Sequence, residues 1–210
     1  MYRKLGAILC ASVCFAGPGP FELGGTIGYG VYRNTSVNAP AGTATAGFHN
    51  AFSAGAFFGE DLYQHLSGEL RYTFQDGDPF VSAGGMMGTI QGQSHAVHYE
   101  FLLHPTRRSS KIRPYFAVGA GIKDYRTNGP APVPQPLPQI VTLAPRHDDV
   151  GLFTAGVGVR YRLTNRMYLR GDFLDYLTPF PKQLFVPAAN GADRGYLHQF
   201  TPSLGISFRP

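Results

Sequence analysis

Residues 67–75, SGELRYTFQ, place Leu70, Tyr72 and Phe74 on one side of an extended chain and Glu69, Arg71, Thr73 and Gln75 on the other. A period of two is the signature of a β-strand with one apolar and one polar face. Such a strand turns its apolar face inward in a soluble protein and outward in a membrane barrel. Deciding between these two cases constrains the chain more than any other feature.

The polar faces decide it. In residues 112–125 one face reads Ile112, Pro114, Phe116, Val118, Ala120 and Ile122, against Arg113, Tyr115, Ala117, Gly119, Gly121 and Lys123. Residues 151–162 repeat this, with Phe153, Ala155, Val157, Val159 and Tyr161 against Thr154, Gly156, Gly158 and Arg160. Glycine weakens a strand and needs a reason to be there. A water-facing exterior supplies none, whereas an eight-stranded barrel has an interior only just wide enough for side chains. The small polar face therefore looks into a lumen, and the bulky face meets hydrocarbon.

Eight alternating stretches recur: Phe21–Tyr32, Asn50–Phe58, Leu66–Gln75, His95–Leu103, Ile112–Tyr125, Gly151–Arg162, Met167–Tyr176 and Tyr196–Phe208. Connections are short after the second, fourth and sixth, and long after the first, third, fifth and seventh. Short turns at one end and long loops at the other predict an all-β fold, an eight-stranded antiparallel up-and-down transmembrane β-barrel. The 27 glycines and 17 prolines suit many strands and turns. Within the second long loop, FVSAGGMMGTI either extends the flanking strands or adds a hairpin. Pro114 and Pro202 each remove a ladder donor and are expected at strand ends or bulges.

Arg3 and Lys4, the apolar run Leu5–Phe15 and the end Cys14-Phe15-Ala16 predict a secretory signal peptide over residues 1–16, with the barrel domain at 17–210. The run is too short to span a bilayer as a helix. Cys10 and Cys14 both lie within it, so no disulfide or thiolate site is expected after cleavage. Losing Arg3 and Lys4 takes the formal charge from +5 to +3, too mild to argue for nucleic acid.

The stretches IRPYFAVGAGIKDY and LFTAGVGVRYRLTNRMYLRGDFLDY, with the closing alternation LGISF, resemble the outer-membrane β-barrel family that includes the OmpA-like transmembrane domain. The resemblance covers nearly the whole mature chain. It implies location in the cell outer membrane, contact with its lipids and lipopolysaccharide, and recognition of the last strand by the barrel-assembly machinery. A monomer is expected. Family members often end on an aromatic residue, whereas here Arg209 and Pro210 follow Phe208. No peptidoglycan-binding domain follows the barrel, so tethering to the cell wall by that route is not expected.

Alternation turns Glu22, Glu69, Arg71, Glu100, Arg113, Arg160, Arg170 and Asp172 inward, all in the periplasmic half. Mixed charges confined in a narrow barrel are expected to pair, because an unpaired buried charge costs several kcal/mol. An ion-pair plug beneath a shallower outer cavity is the expectation, the alternative being charges that merely fill and solvate the lumen; the outer half holds Lys123 among Thr26, Gly119, Thr154, Tyr176 and Gln199.

No catalytic, cofactor or metal site is expected. His98 and Glu100 share the inward face but lack an obvious serine, with Ser53 and Ser67 the nearest candidates. The RHDD run, Arg146–Asp149, reads as a solvated loop tip. The RGD tripeptide, Arg170–Asp172, lies within a strand and is inaccessible to an adhesion partner. Three function classes remain: a structural anchor or narrow pore with a charged lumen, a loop-mediated adhesion or binding module, and a lipid-modifying enzyme.

Overall fold

A computed structural model describes residues 21–189, 192–193 and 195–210. The expected signal peptide, with Cys10 and Cys14, lies outside the described residues. The eight alternating stretches become β1 (Phe21–Arg33), β2 (Ala51–Asp61), β3 (Leu66–Asp76), β4 (Gly92–Leu103), β5 (Ile112–Thr127), β6 (His147–Arg162), β7 (Met167–Pro179) and β8 (Tyr196–Phe208). Each strand pairs antiparallel with its chain neighbours, and β8 returns to β1, closing the barrel. Closure satisfies the backbone groups that an open edge would leave to hydrocarbon.

The outer face is an apolar band. Leu23, Ile27 and Val31 of β1, Phe116 and Ile122 of β5, and Leu204 and Ile206 of β8 are all exposed. From Leu23 to Arg33 the chain rises about 33 Å, or about 25 Å along the barrel axis at a tilt near 40°, which matches a hydrocarbon core.

Inside, glycines make room for large neighbours. A side chain at Gly24 would strike the Phe57 ring, one at Gly30 the Gln75 amide, and one at Gly158 the Tyr115 ring. Pro114 falls near the start of β5. Pro202 lies well inside β8, where β1–β8 pairing skips from Gly28↔Ser203 to Val31↔Phe200. The missing N–H interrupts that ladder, while the β7 side keeps Phe173↔Pro202.

The long loops depart most from expectation. Instead of separate exposed segments they form a folded crown. Its main sheet joins Thr35–Ala39, Gly42–Phe48, Pro79–Ala83 and Met86–Thr89, with Ala192–Asp193 beside the first. The stretch left open in the second loop is thus a hairpin, turned by Gly84 and Gly85 at φ +56° and +81°. Positive φ at both central residues is the requirement of a type I′ turn, which glycine meets without strain. Val37, Phe48, Val81, Ile90, Leu137, Val141, Leu143, Leu184 and Phe185 are buried together beneath the sheet. RHDD is also no loop tip: His147–Asp149 begin β6, and buried Asp148 accepts a hydrogen bond from the Gln183 backbone (3.0 Å).

Candidate functional site

Two strands supply the centre of the lumen. Glu69 and Arg71 are two apart on β3, and Arg170 and Asp172 two apart on β7, so each pair shares the inner face. Within the pairs, Arg71 Nη2 lies 2.8 Å from Glu69 and Arg170 Nε 2.9 Å from Asp172. Across the barrel, Arg170 meets Glu69 at 2.5 Å and Arg71 meets Asp172 at 3.1 Å. These four groups bridge the lumen from wall to opposite wall. Arg71 also faces Glu100 at 3.7 Å, and Glu100 accepts from His98 Nε2 at 3.0 Å. The Arg170 guanidinium stacks 4.4 Å above Phe57 and 5.1 Å from Tyr115, whose hydroxyl donates to Asp172.

Toward the short-turn end of the barrel the network continues. Arg160 reaches Glu22 at 3.3 Å and Glu69 at 3.5 Å, and Arg113 reaches Asp61 at 3.2 Å. Arg209 closes it, 2.9 Å from Glu22 and 2.6 Å from Asp61. All eight residues predicted for this cluster are thus buried in the lumen and joined. Sequence reasoning missed Asp61 and Arg209. Both continue the inward alternation of β2 and β8, Arg209 in phase with Ser207 and Gln199, so extending each strand pattern would have found them. With them, five carboxylates and five guanidiniums balance.

His104, just past β4, borders the cluster. The Ser67 hydroxyl lies 3.1 Å from its Nε2 and 2.7 Å from Asp61, while Nδ1 is 3.2 Å from the Pro114 carbonyl. Burial first, then the Arg160 and Arg113 guanidiniums, push its pKa down to about 3. The folded chain therefore keeps this ring neutral while an unfolded chain protonates it near pH 6.5. Stability is unaffected above that pH and falls as pH drops from 6.5 toward 3. Urea unfolding at pH 7.5 and pH 5 should show the wild type losing on the order of 1–2 kcal/mol more than His104→Asn. Equal losses would refute a neutral buried ring.

The outer lumen departs from the shallow cavity expected. Lys123 Nζ donates to Tyr32 (3.2 Å) and to Gln199, with the Tyr125, Tyr32 and Tyr176 rings 4.7, 5.1 and 5.9 Å away. No carboxylate pairs with it among the described residues. Tyr32 and Tyr125 also belong to the crown core, packing on Phe48 at 5.1 and 4.7 Å. Bulky tyrosines on the inner face thus fill the space left for a cavity. The gap below them, beside Thr73, Gln75 and Ser94, is too narrow for a water molecule.

Catalytic geometry is incomplete. His98 Nδ1 has no hydrogen-bond partner among the described residues, and its ring packs edge-on to Tyr176. Ser67 contacts a histidine, but its base is held by a backbone carbonyl rather than a carboxylate, and both residues are sealed in the wall.

This architecture is that of the small eight-stranded outer-membrane barrels. The outer membrane protein OprG from Pseudomonas aeruginosa superimposes with a TM-score of 0.58 at 12% identity, covering 92% of this chain and 99% of that one. Neisserial surface protein A (NspA) gives 0.56 at 11% identity, covering 91% and 98%. No protein-family model matches the sequence, and no curated sequence matches it.

Proposed function

We propose that the chain is an outer-membrane anchor with a closed lumen, carrying a folded crown on the cell surface. One observation carries this reading: the lumen is filled at two levels, by the ten-charge network and by Lys123 in its tyrosine cage. Ion pairs knitted across all sides of so narrow a barrel leave solutes no path. The apolar band, the barrel closure and the likeness to OprG and NspA support the outer membrane as its place. Its partners there are the surrounding lipids and lipopolysaccharide, with assembly through β8, and it works as a monomer.

Planar-bilayer recording of the refolded chain tests this, once unboiled gel mobility has shown the barrel folded. Silence is the expected result. Discrete conductance steps would make it a narrow pore instead.

A second reading, a loop-mediated binding module, is favoured by the crown. It presents Met86, Met87 and Val133 exposed at its tips on a well-packed base, as a recognition surface on a rigid scaffold would. The two readings share the closed barrel and differ only in whether the crown has a partner.

A further inference from the structure

The turns that join β4 to β5 (residues 104–111) and β6 to β7 (residues 163–166) gather five cations at one end of the barrel. Arg107, Arg108, Lys111 and Arg166 are exposed, and Arg162 is half-buried at the end of β6. The two turns are neighbours because β5 and β6 pair to their ends, where the Arg162 amide donates to the Lys111 carbonyl at 2.9 Å. In the longer turn the Ser110 amide donates to the Arg107 carbonyl at 3.0 Å, which leaves Arg107 and Arg108 at its tip.

Little negative charge answers them. Glu22 and Asp61 turn into the lumen, where Arg160, Arg113 and Arg209 engage them. Arg108 reaches Asp61 at 2.8 Å, but Arg107, Lys111, Arg162 and Arg166 pair with no carboxylate of any described residue. Glu60 is the remaining acid at this end, and it lies on β2, on the far side of the ring of strands. Direction adds to this. Arg162 keeps the inward phase of Arg160, and Arg108 reaches an acid inside the lumen mouth, so the cations rim the mouth and look along the barrel axis. Lys111 alone sits over the outer wall, its ammonium 5.2 Å above the Tyr161 ring. Such a half-ring faces what lies beyond the membrane plane, not the lipid beside it.

We infer that this end is a docking face for an extended chain of carboxylates, met in the cell envelope as the peptide stems of peptidoglycan. The inference rests on the outer-membrane reading above, in which short turns face the periplasm. Arginine suits carboxylates because its planar donors engage two oxygens at once. One exposed pair binds weakly, but a polymer that repeats its carboxylates engages several cations together, and the linkage multiplies their effect. A folded protein partner would need aromatic or aliphatic anchors at its centre, and Leu163 is the single large apolar side chain these two turns expose. The barrel would thereby hold the outer membrane to the wall through its own turns.

Co-sedimentation with purified peptidoglycan sacculi tests it, using the refolded full chain in phosphatidylcholine nanodiscs. The wild type should pellet with sacculi at low salt and be released at about 0.5 M salt, where exposed charges are screened. Arg107→Gln/Lys111→Gln/Arg162→Gln/Arg166→Gln, which spares Arg108 and the lumen network, should bind roughly tenfold more weakly or worse. Arg126→Gln/Arg146→Gln, at the crown end, should bind as the wild type does. Converting the carboxylates of the sacculi to amides should abolish pelleting. Undiminished pelleting by the quadruple variant or with amidated sacculi would overturn the assignment, as would stronger retention on phosphatidylglycerol vesicles than on sacculi. Unboiled gel mobility shows that each variant is folded. A wild type that fails to pellet yet stays silent in the bilayer would remove this face and leave the anchor reading standing, whereas conductance steps from a chain that pellets would do the reverse.

Discussion

Replacing Arg170 by alanine should destabilise the barrel by about 3–5 kcal/mol, the usual cost of removing one partner from a buried ion network. The side chain is fully enclosed and meets Glu69 at 2.5 Å and Asp172 at 2.9 Å. Its loss leaves Glu69 to Arg71 and Arg160, and Asp172 to Arg71 alone. The centre of the lumen then holds more negative than positive charge in a site with little water. It also removes the cation stacked on Phe57 and Tyr115, each contact worth up to about 2 kcal/mol when desolvated. Arg108 gives the contrast. It also pairs with a lumen carboxylate, Asp61 at 2.8 Å, but its own side chain is 42% exposed. Arg108→Ala should cost no more than about 1 kcal/mol, because solvent screens the pair. Urea unfolding in micelles compares the two. Equal small losses would mean the lumen charges only hydrate the interior and do not hold its walls together.

The barrel was legible in the sequence because a closed sheet between lipid and lumen imposes one rule at every position. Each outward residue meets hydrocarbon and each inward residue meets a crowded polar interior, so a period of two recurs without exceptions for local packing. Tyr196–Phe208 keep their predicted bounds, and the other strands extend by a few residues. The eight lumen charges follow from the same rule. Its limits are also physical. Alternation gives the facing of a residue but not its neighbours across the barrel, so the pairing of Arg170 with Glu69 needed the closed shape. Asp61 and Arg209 escaped because strand ends lose the apolar partner residues that make the period visible. The crown was less legible still. Its strands are short, and their buried faces use Ala44, Ala46 and Val81 from separate loops, none of which shows a long amphipathic run. The proline-rich segment between β5 and β6 contributes Leu137 and Ile140 to the same core, although its composition reads as a solvated loop. Packing between segments distant in sequence supplied what local pattern did not.

The crown and the barrel should therefore come apart under mutation, and Phe48→Ala is the substitution that separates them. Phe48 is buried where the first and fourth long connections meet the outer ends of β1 and β5: its ring packs 4.7 Å from Tyr125, 5.1 Å from Tyr32 and 5.7 Å at right angles to Phe185. Truncating a core phenylalanine costs about 3–5 kcal/mol, through lost burial and the cavity left behind. A crown with so few buried side chains has little stability to spare. The barrel below keeps its strand ladders and its charge network, because Phe48 meets the barrel strands through the Tyr32 and Tyr125 rings and not through the network's charged side chains. Limited proteolysis should then cut the variant at Arg126 and Arg146, flanking the β5–β6 loop, many times faster than the wild type, while the heat-dependent gel shift stays unchanged. Because Tyr32 and Tyr125 pack on Phe48 and also cage Lys123, loosening the crown exposes the outer lock of the lumen. The charge network at the short-turn end would still block passage, so the Phe48→Ala barrel should remain electrically silent. If the gel shift collapsed together with the crown, the two would be one cooperative unit, and the loops would be part of what holds the barrel closed.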